Sequence, residues 1–320
     1  MKKYLILSVV ALSYQSVWAQ SLLQQSFGSG ANQFTMDFVT IGNPGNAADT
    51  TGSPNPVGSV AYSYNIGKYE VSRGMINNAN TLGNLGITLY NMSGAGNGVN
   101  RPATGIDWYE AATFVNWLNT STGNTAAYKF SADGTFQLWS STDAGYNANN
   151  LFRNSLAKYV LPSTSEWYKA AYGSPTGTWY DYPTGSNSAP GKVSNGTAAN
   201  TAVYSAANTA DITNAGGLSA YGTMAQGGNA WELTETAYDG SNDIANDYRE
   251  LRGGGFQVQS QAEPELSASG GRYWTFASDG DYFKTGFRVA MADTASVPEP
   301  SALSLIVVGL SGLALIRRRK

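Results

Sequence analysis

Residues 227–232 read Gly-Gly-Asn-Ala-Trp-Glu, and the groups there that could do chemistry are the Asn229 amide and the Glu232 carboxylate. Both offer oxygen, which suits a hard cation, and paired glycines let backbone carbonyls converge on one point. The same groups serve equally well to hydrogen-bond a tight turn around a core tryptophan, Trp231. Farther along, Glu263, Glu265, Asp279 and Asp281 are carboxylates of the kind that pair in glycoside hydrolysis, although sequence fixes no separation between them and solvated loop acids look the same. Among them, Arg272, Tyr273, Trp274, Tyr282 and Phe283 are set between Gly, Ser and Asp. Aromatic faces beside polar groups can stack on sugar rings or hold a peptide, or simply pack on the domain. The chain contains no histidine and no cysteine in 320 residues. A Ser-His-Asp triad, a thiolate nucleophile, a His-ligated metal and any disulfide are therefore excluded, and a bound metal would need oxygen ligands, as Ca²⁺ or Mg²⁺ does.

The elements that must position these residues are sparse. Three helices are signalled by their caps. One starts at Ser72, with Met75, Ile76 and Ala79 as its apolar face. A second starts at Asp107, with Glu110 completing a capping box and Ala111, Phe114, Val115 and Leu118 forming a single inward stripe. A third starts at Ser163, with Glu166 three residues on, Trp167, Ala170 and Ala171 inward, and Gly173 as a left-handed stop. Strands are expected at 34–41, 64–71, 250–257 and 286–291. From Tyr180 to about Gly222 helical periodicity is lost among Gly, Ser, Asn, Thr and Ala. A loop of that length in a compact domain requires an organiser, either a function or a bound ion. Few helices, few strands and many loops indicate an α+β domain of low regular structure.

The ends read differently from the middle. Lys2 and Lys3 precede an apolar run and a Val17-Trp18-Ala19 site, the pattern of a secretory signal peptide over 1–19. At the other end, Val297-Pro298-Glu299-Pro300 is followed by an apolar run from Ala302 to Ile316 and then by Arg317, Arg318, Arg319 and Lys320. That run is short for a membrane span, and the basic end would remain cytoplasmic. The segment 297–320 resembles the PEP-CTERM sorting signal, which implies a short hydrophobic transmembrane helix, an exosortase-type processing protease and delivery to the cell surface or exopolysaccharide matrix. The exported part, 20–296, holds 13 basic against 21 acidic residues, a net charge of about −8. Nucleic acid is accordingly not an expected partner.

Five blocks of that domain, IGKYEVSRGMI (66–76), RPATGIDWYEAATFVNWLN (101–119), YVLPSTSEWYKAAYG (159–173), YGTMAQGGNAWELTE (221–235) and RELRGGGF (249–256) with TGFRVA (285–290), resemble the formylglycine-generating enzyme family, also called the sulfatase-modifying factor domain. The resemblance implies that family's variant of the C-type lectin-like fold. It also implies a structural Ca²⁺ held by Asn229 and Glu232 with carbonyls of Gly227, Gly228 and Ala230, and a second calcium site near Asn200 and Asp211. The family oxidises a substrate cysteine with copper held by two cysteines just beyond the RGG block, yet here Val258 stands at the first of those positions. Related iron-dependent sulfoxide synthases use histidine ligands, equally missing here. The expectation is therefore no copper, no oxidase activity, and a binding or structural protein for a matrix glycan or protein on a formylglycine-enzyme scaffold. An enzyme of changed chemistry in the same groove is the alternative.

Overall fold

The computed structural model describes residues 22–92, 94–257, 265–279 and 284–292. The proposed signal peptide, the sorting tail, Val258, Glu263, Asp281, Tyr282 and Phe283 lie outside the described residues. In chain order the elements are β1 (Leu22–Phe27), β2 (Phe34–Ile41), β3 (Tyr64–Gly67), α1 (Arg73–Gly83), α2 (Trp108–Thr120), β4 (Lys129–Phe130), β5 (Phe136–Gln137), β6 (Tyr159–Val160), α3 (Thr164–Tyr172), β7 (Gly191–Val193), β8 (Thr201–Val203), β9 (Trp231–Ala237), β10 (Arg249–Arg252), β11 (Arg272–Thr275), β12 (Thr285–Phe287) and β13 (Ala290–Ala292). They form a five-stranded antiparallel sheet, β1-β2-β3-β13-β6, a four-stranded sheet, β11-β10-β9-β12, and two short ribbons, β4-β5 and β7-β8. In the four-stranded sheet β12 runs parallel to β9, and the other pairs are antiparallel.

All three expected helices begin where their caps say. Ser72, Asp107 and Ser163 each accept the backbone N–H three residues on, and Glu110 and Glu166 return the bond to the cap residue's own N–H. Two details differ from expectation. Helix α2 is buried on more than one stripe, because Trp108, Ala112, Trp117 and Asn119 are covered as well. Asn119 tolerates this by donating its amide to the Tyr159 carbonyl at 2.7 Å and accepting the Tyr159 N–H at 2.9 Å, which ties the helix to β6. Gly173 is extended (φ −82°, ψ 170°) rather than left-handed. Its lack of a side chain matters for space, since a Cβ there would lie 2.7 Å from the Lys169 carbonyl oxygen.

The expected strand 34–41 is present with the same bounds, those at 64–71 and 250–257 are present in shorter form as 64–67 and 249–252, and 286–291 is divided between two sheets. β12 ends at Phe287 and β13 begins at Ala290, so Arg288 and Val289 cross from the four-stranded to the five-stranded sheet. The principal core fills the space between the five-stranded sheet and α1 and α2, with Phe38, Ile41, Ile66, Trp108, Phe114, Leu118 and Phe287 fully buried. Burial of each such side chain contributes about 1.5–3 kcal/mol. Eight strands were not expected from sequence, β1, β4, β5, β6, β7, β8, β9 and β11, and β9 carries the last two residues, Trp231 and Glu232, of the Gly-Gly-Asn-Ala-Trp-Glu motif.

Candidate functional site

Gly227–Glu232 forms the corner that leads into β9. Gly228 is left-handed (φ 82°), and a Cβ on it would meet the Val203 carbonyl oxygen at 2.3 Å, so only glycine fits. Asn229 is also left-handed (φ 61°), a conformation asparagine accepts more readily than most residues. Its side chain is fully buried and satisfied: Oδ1 accepts the Ala210 N–H at 2.7 Å, and Nδ2 donates to Glu70 Oε2 at 2.6 Å. Its backbone N–H reaches the Val203 carbonyl at 2.8 Å. Asn229 is thus the organiser that the long irregular region 180–222 requires, holding it at both 203 and 210.

Glu232 is equally committed. Its carboxylate receives Arg288 Nη2 at 2.5 Å and Nε at 2.6 Å, and Trp167 Nε1 adds a third bond at 2.6 Å. Arg288 completes its donor set on the carbonyls of Gly67 at 2.9 Å and Met224 at 2.9 Å. The residue that crosses between the two sheets is therefore clamped to both of them. Glu70 lies at the edge of this network, accepting Asn229 and the Ala230 N–H at 3.1 Å. Burial, reinforced by the nearby Glu232 charge, pushes its carboxyl well above the ordinary value despite Arg288.

This arrangement corrects the expected calcium ligands. A hard cation needs several free oxygens, whereas the Asn229 oxygen and both Glu232 oxygens already accept N–H groups, and a guanidinium occupies the place beside Glu232. A Ca²⁺ held by those two side chains with the Gly227, Gly228 and Ala230 carbonyls does not fit. Near the second expected site, Asn200 Oδ1 accepts Thr184 Oγ1 at 2.8 Å and Asp211 pairs with Arg101 at 3.1 Å.

The residues expected to bind ligand separate into two roles. Arg272 turns inward along the sheet: Nε donates to Glu250 Oε2 at 2.8 Å, Nη2 donates to the Tyr238 carbonyl, and the guanidinium lies 3.9 Å from the centre of the Tyr238 ring. It fastens the edge strand β11 to the sheet and is not a free ligand-binding group. Tyr273 and Trp274 instead face solvent, 49% and 40% exposed, with ring planes 5° apart and centroids 6.1 Å apart. Phe276 (50% exposed) and Tyr248 (37%) join them, Tyr248 meeting Trp274 at 4.5 Å and Phe276 at 4.6 Å. Half-buried Trp231 backs Tyr273 at 6.0 Å. The aromatics cluster around β11, the edge strand of the four-stranded sheet among the described residues. Tyr248, Phe276 and Trp231 were missed from sequence. A hint was available in the run Arg-Tyr-Trp-Thr-Phe, where aromatics on both sides of so short a strand cannot all face one core.

Of the four carboxylates considered, Asp279 and Glu265 are among the described residues. Burial raises the Glu265 carboxyl, with Lys284 opposing it. Asp279 lines a cleft of about 300 Å³ with Thr88, Tyr90, Gly105, Asp107, Glu110 and Ser278. The turn that carries it hangs from Phe276 and is pinned to the start of α2 by Trp108 N–H on the Ala277 carbonyl at 3.0 Å. Burial raises the carboxyls of Asp107 and Glu110, and the Asp279 charge adds to the effect at Asp107. A larger cavity of about 360 Å³ lies between β1, β2 and the start of α1, with Glu70 in its wall.

The scaffold so described matches the sulfatase-modifying factor enzyme 1-like domain over residues 33–293. The chain belongs to this family. Residues 296–320 match the PEP-CTERM protein-sorting motif, which marks an exported surface protein and implies exosortase processing. No curated protein matches the chain. Among solved structures, CarF is 17% identical over 80% of this chain and 98% of its own, with a TM-score of 0.56. Variable protein 1 of Treponema denticola is 16% identical over 84% of this chain and 99% of its own, with a TM-score of 0.51. Both share the fold. Among the described residues no helix is long and apolar enough to cross a membrane.

Proposed function

We propose that this member of the family is a binding protein of the cell surface or extracellular matrix, carrying the scaffold without the family's thiol-based oxidation. The observation that supports the reading is an exposed aromatic surface on the edge of the four-stranded sheet, in a chain of 320 residues that holds no cysteine. Without a thiolate there is no soft ligand for Cu(I). Four aromatic side chains between 37% and 50% exposed in one cluster are apolar area that a monomer ordinarily covers, and such patches mark interaction sites. Export through the sorting motif would bring that surface to matrix polysaccharides and proteins.

The test is binding of the purified protein to a glycan array and to matrix fractions, beside a Trp274→Ala, Phe276→Ala variant. Retention by the wild type and loss in the variant is the expected result. Equal behaviour of the two, or no retention of either, would remove the support. Turnover of a peptide cysteine to formylglycine by the wild type would overturn the reading outright.

A further inference from the structure

One outer strand of the five-stranded sheet differs from every other sheet edge among the described residues. The edges at β6, β11 and β12 hold two, four and three residues, and the ribbon strands no more than three. Short outer strands are one way natural sheets avoid pairing with other chains; charges, prolines, bulges and covering segments are others. β1, six residues long, shows none of these among the described residues. Its sequence, Leu-Leu-Gln-Gln-Ser-Phe, holds no charge and no proline. Its register with β2 runs unbroken from Leu22 opposite Val39 to Phe27 opposite Phe34. Among the described residues its backbone pairs with β2 alone, and the Gln24 carbonyl is met by the neighbouring Gln25 side chain at 2.9 Å. The outer row of β1 N–H and C=O groups therefore faces no other strand. Leu22 and Leu23 are 47% and 36% exposed, and successive residues of a strand point to opposite faces, so apolar surface is open on both sides of it.

We propose that β1 is a dimerisation edge: two copies of this chain pair antiparallel through β1 into one continuous sheet, about a two-fold axis near Gln24. An antiparallel strand pair can be two-fold symmetric, so β1 serves as its own complement. Charge selects the same occupant. The exported part holds 13 basic against 21 acidic residues, so two copies repel at a distance, yet contact through β1 brings no like charges together. The charged groups beside β1 are engaged by its glutamines, Asp37 with Gln24 Nε2 at 2.8 Å and Lys158 with Gln25 Oε1 at 3.3 Å. A charged peptide would find no opposite charge on the strand itself. Assembly stops at two copies, because the other edge of the sheet, β6, has only two residues to offer. The proposal is independent of the binding reading above. Its consequence for that reading is that two aromatic surfaces belong to one particle, which holds a repeating ligand by both.

A chain without cysteine makes the test direct. Leu23→Cys, Gln24→Cys and Gln25→Cys, introduced singly into the full chain and mildly oxidised, should form an intermolecular disulfide fastest at the position nearest the axis. That rate should exceed by tenfold or more the rate for Leu218→Cys, a comparably exposed position (42%) outside β1. Sedimentation of the wild type over a concentration series should show a monomer–dimer equilibrium that tightens as salt screens the net negative charge. Gln24→Lys, which sets two ammonium groups against each other across the axis, should weaken the dimer tenfold or more, and Gln24→Thr should retain it. Thermal unfolding of each variant at a concentration where all are monomeric confirms that it folds. Trp274→Ala with Phe276→Ala should leave the dimer intact. A wild type that stays monomeric at every concentration overturns the proposal. So does crosslinking at Leu218→Cys as fast as in β1, or a dimer that survives Gln24→Lys and is lost with the aromatic surface.

Discussion

Removing the Glu232 carboxylate tests the account of the 227–232 corner directly. In Glu232→Ala, Arg288 keeps its bonds to the Gly67 and Met224 carbonyls but loses both contacts at 2.5 and 2.6 Å, and Trp167 Nε1 loses its acceptor. Both partners of the pair have no exposed side-chain surface, so water cannot replace what is lost. Breaking a buried pair from one side costs about 3–5 kcal/mol, and an orphaned indole N–H adds on the order of 1 kcal/mol. Against a domain stability of about 5–15 kcal/mol, that is a large fraction. At this size it amounts to a fall in Tm of roughly 8–16 °C. Urea denaturation followed by tryptophan fluorescence, on metal-stripped protein and again with Ca²⁺ added, gives the number. The loss should be the same in both conditions, because the work of Glu232 is done by Arg288. The double variant Glu232→Leu, Arg288→Met should lose much less than the sum of the single changes. A cost below about 1 kcal/mol, or one seen only when Ca²⁺ is present, would refute the reasoning and restore the carboxylate as a metal ligand.

Asn229→Ala should loosen the long irregular region specifically: hydrogen exchange at residues 203–214 should rise well before exchange in α2, with a stability loss of about 1–3 kcal/mol, and uniform protection would contradict the staple. Acid sensitivity should centre on Glu166. Burial alone would raise its carboxyl, but the Arg153 guanidinium, 3.0 Å away, and bonds from Ser163 N–H and Tyr62 hydroxyl hold it below the ordinary value. A depressed carboxyl contributes stability that is present above its unfolded pKa and lost as pH falls through the folded one, so a wild-type advantage over Glu166→Gln at pH 7 should shrink below about pH 4. Lys169 is buried with one acceptor, the Asn43 carbonyl at 2.9 Å, and burial lowers its ammonium to about 8. Lys169→Met should therefore stabilise the domain by about 1–2 kcal/mol at pH 7, with the gain fading as pH rises from 8 towards 10.5, and a destabilised variant at pH 7 would show that the charge is compensated.

Local signals were readable and long-range pairings were not. Caps at Ser72, Asp107 and Ser163 are decided within four residues, and β2 is a run rich in aromatic and β-branched residues, Phe-Thr-Met-Asp-Phe-Val-Thr-Ile, so both stand in the sequence as written. β9 does not, because Trp-Glu-Leu-Thr-Glu-Thr-Ala carries two glutamates and two threonines in a strand buried on both faces. Its polar residues are admitted only by partners far away: Arg288 for Glu232, and Arg153 at 2.6 Å with Tyr128 at 2.8 Å for Glu235. Pattern-based reading treats such a stretch as a surface loop and its acids as available ligands. The clue that could have corrected this lies in the blocks themselves. Glu70, Glu232 and Arg288 each sit among apolar residues and glycines, where an isolated charge is untenable and a matching charge in another block must be sought.

The same pairings explain how the scaffold can stand without the family's thiols. Its interior is tied by arginines that are buried or nearly so. Arg288 joins the two sheets, and Arg153 bridges Glu166 of α3 to Glu235 of β9. Arg249 lies 4.4 Å over Trp108 and 4.2 Å over Phe152, lowered by burial to about 10 yet still charged. None of these ties uses a thiol, since the chain holds no cysteine. The structural network thus rests on buried arginine pairings and keeps the sheet edge rigid without any cysteine. A rigid edge is what an exposed aromatic surface needs, since Tyr273 and Trp274 can present aligned ring planes only while Arg272 beside them is held to Glu250 and Tyr238. Arg272→Gln should accordingly weaken any ligand that uses the aromatic surface by severalfold without touching it, whereas unaltered affinity would show that the rings align on their own.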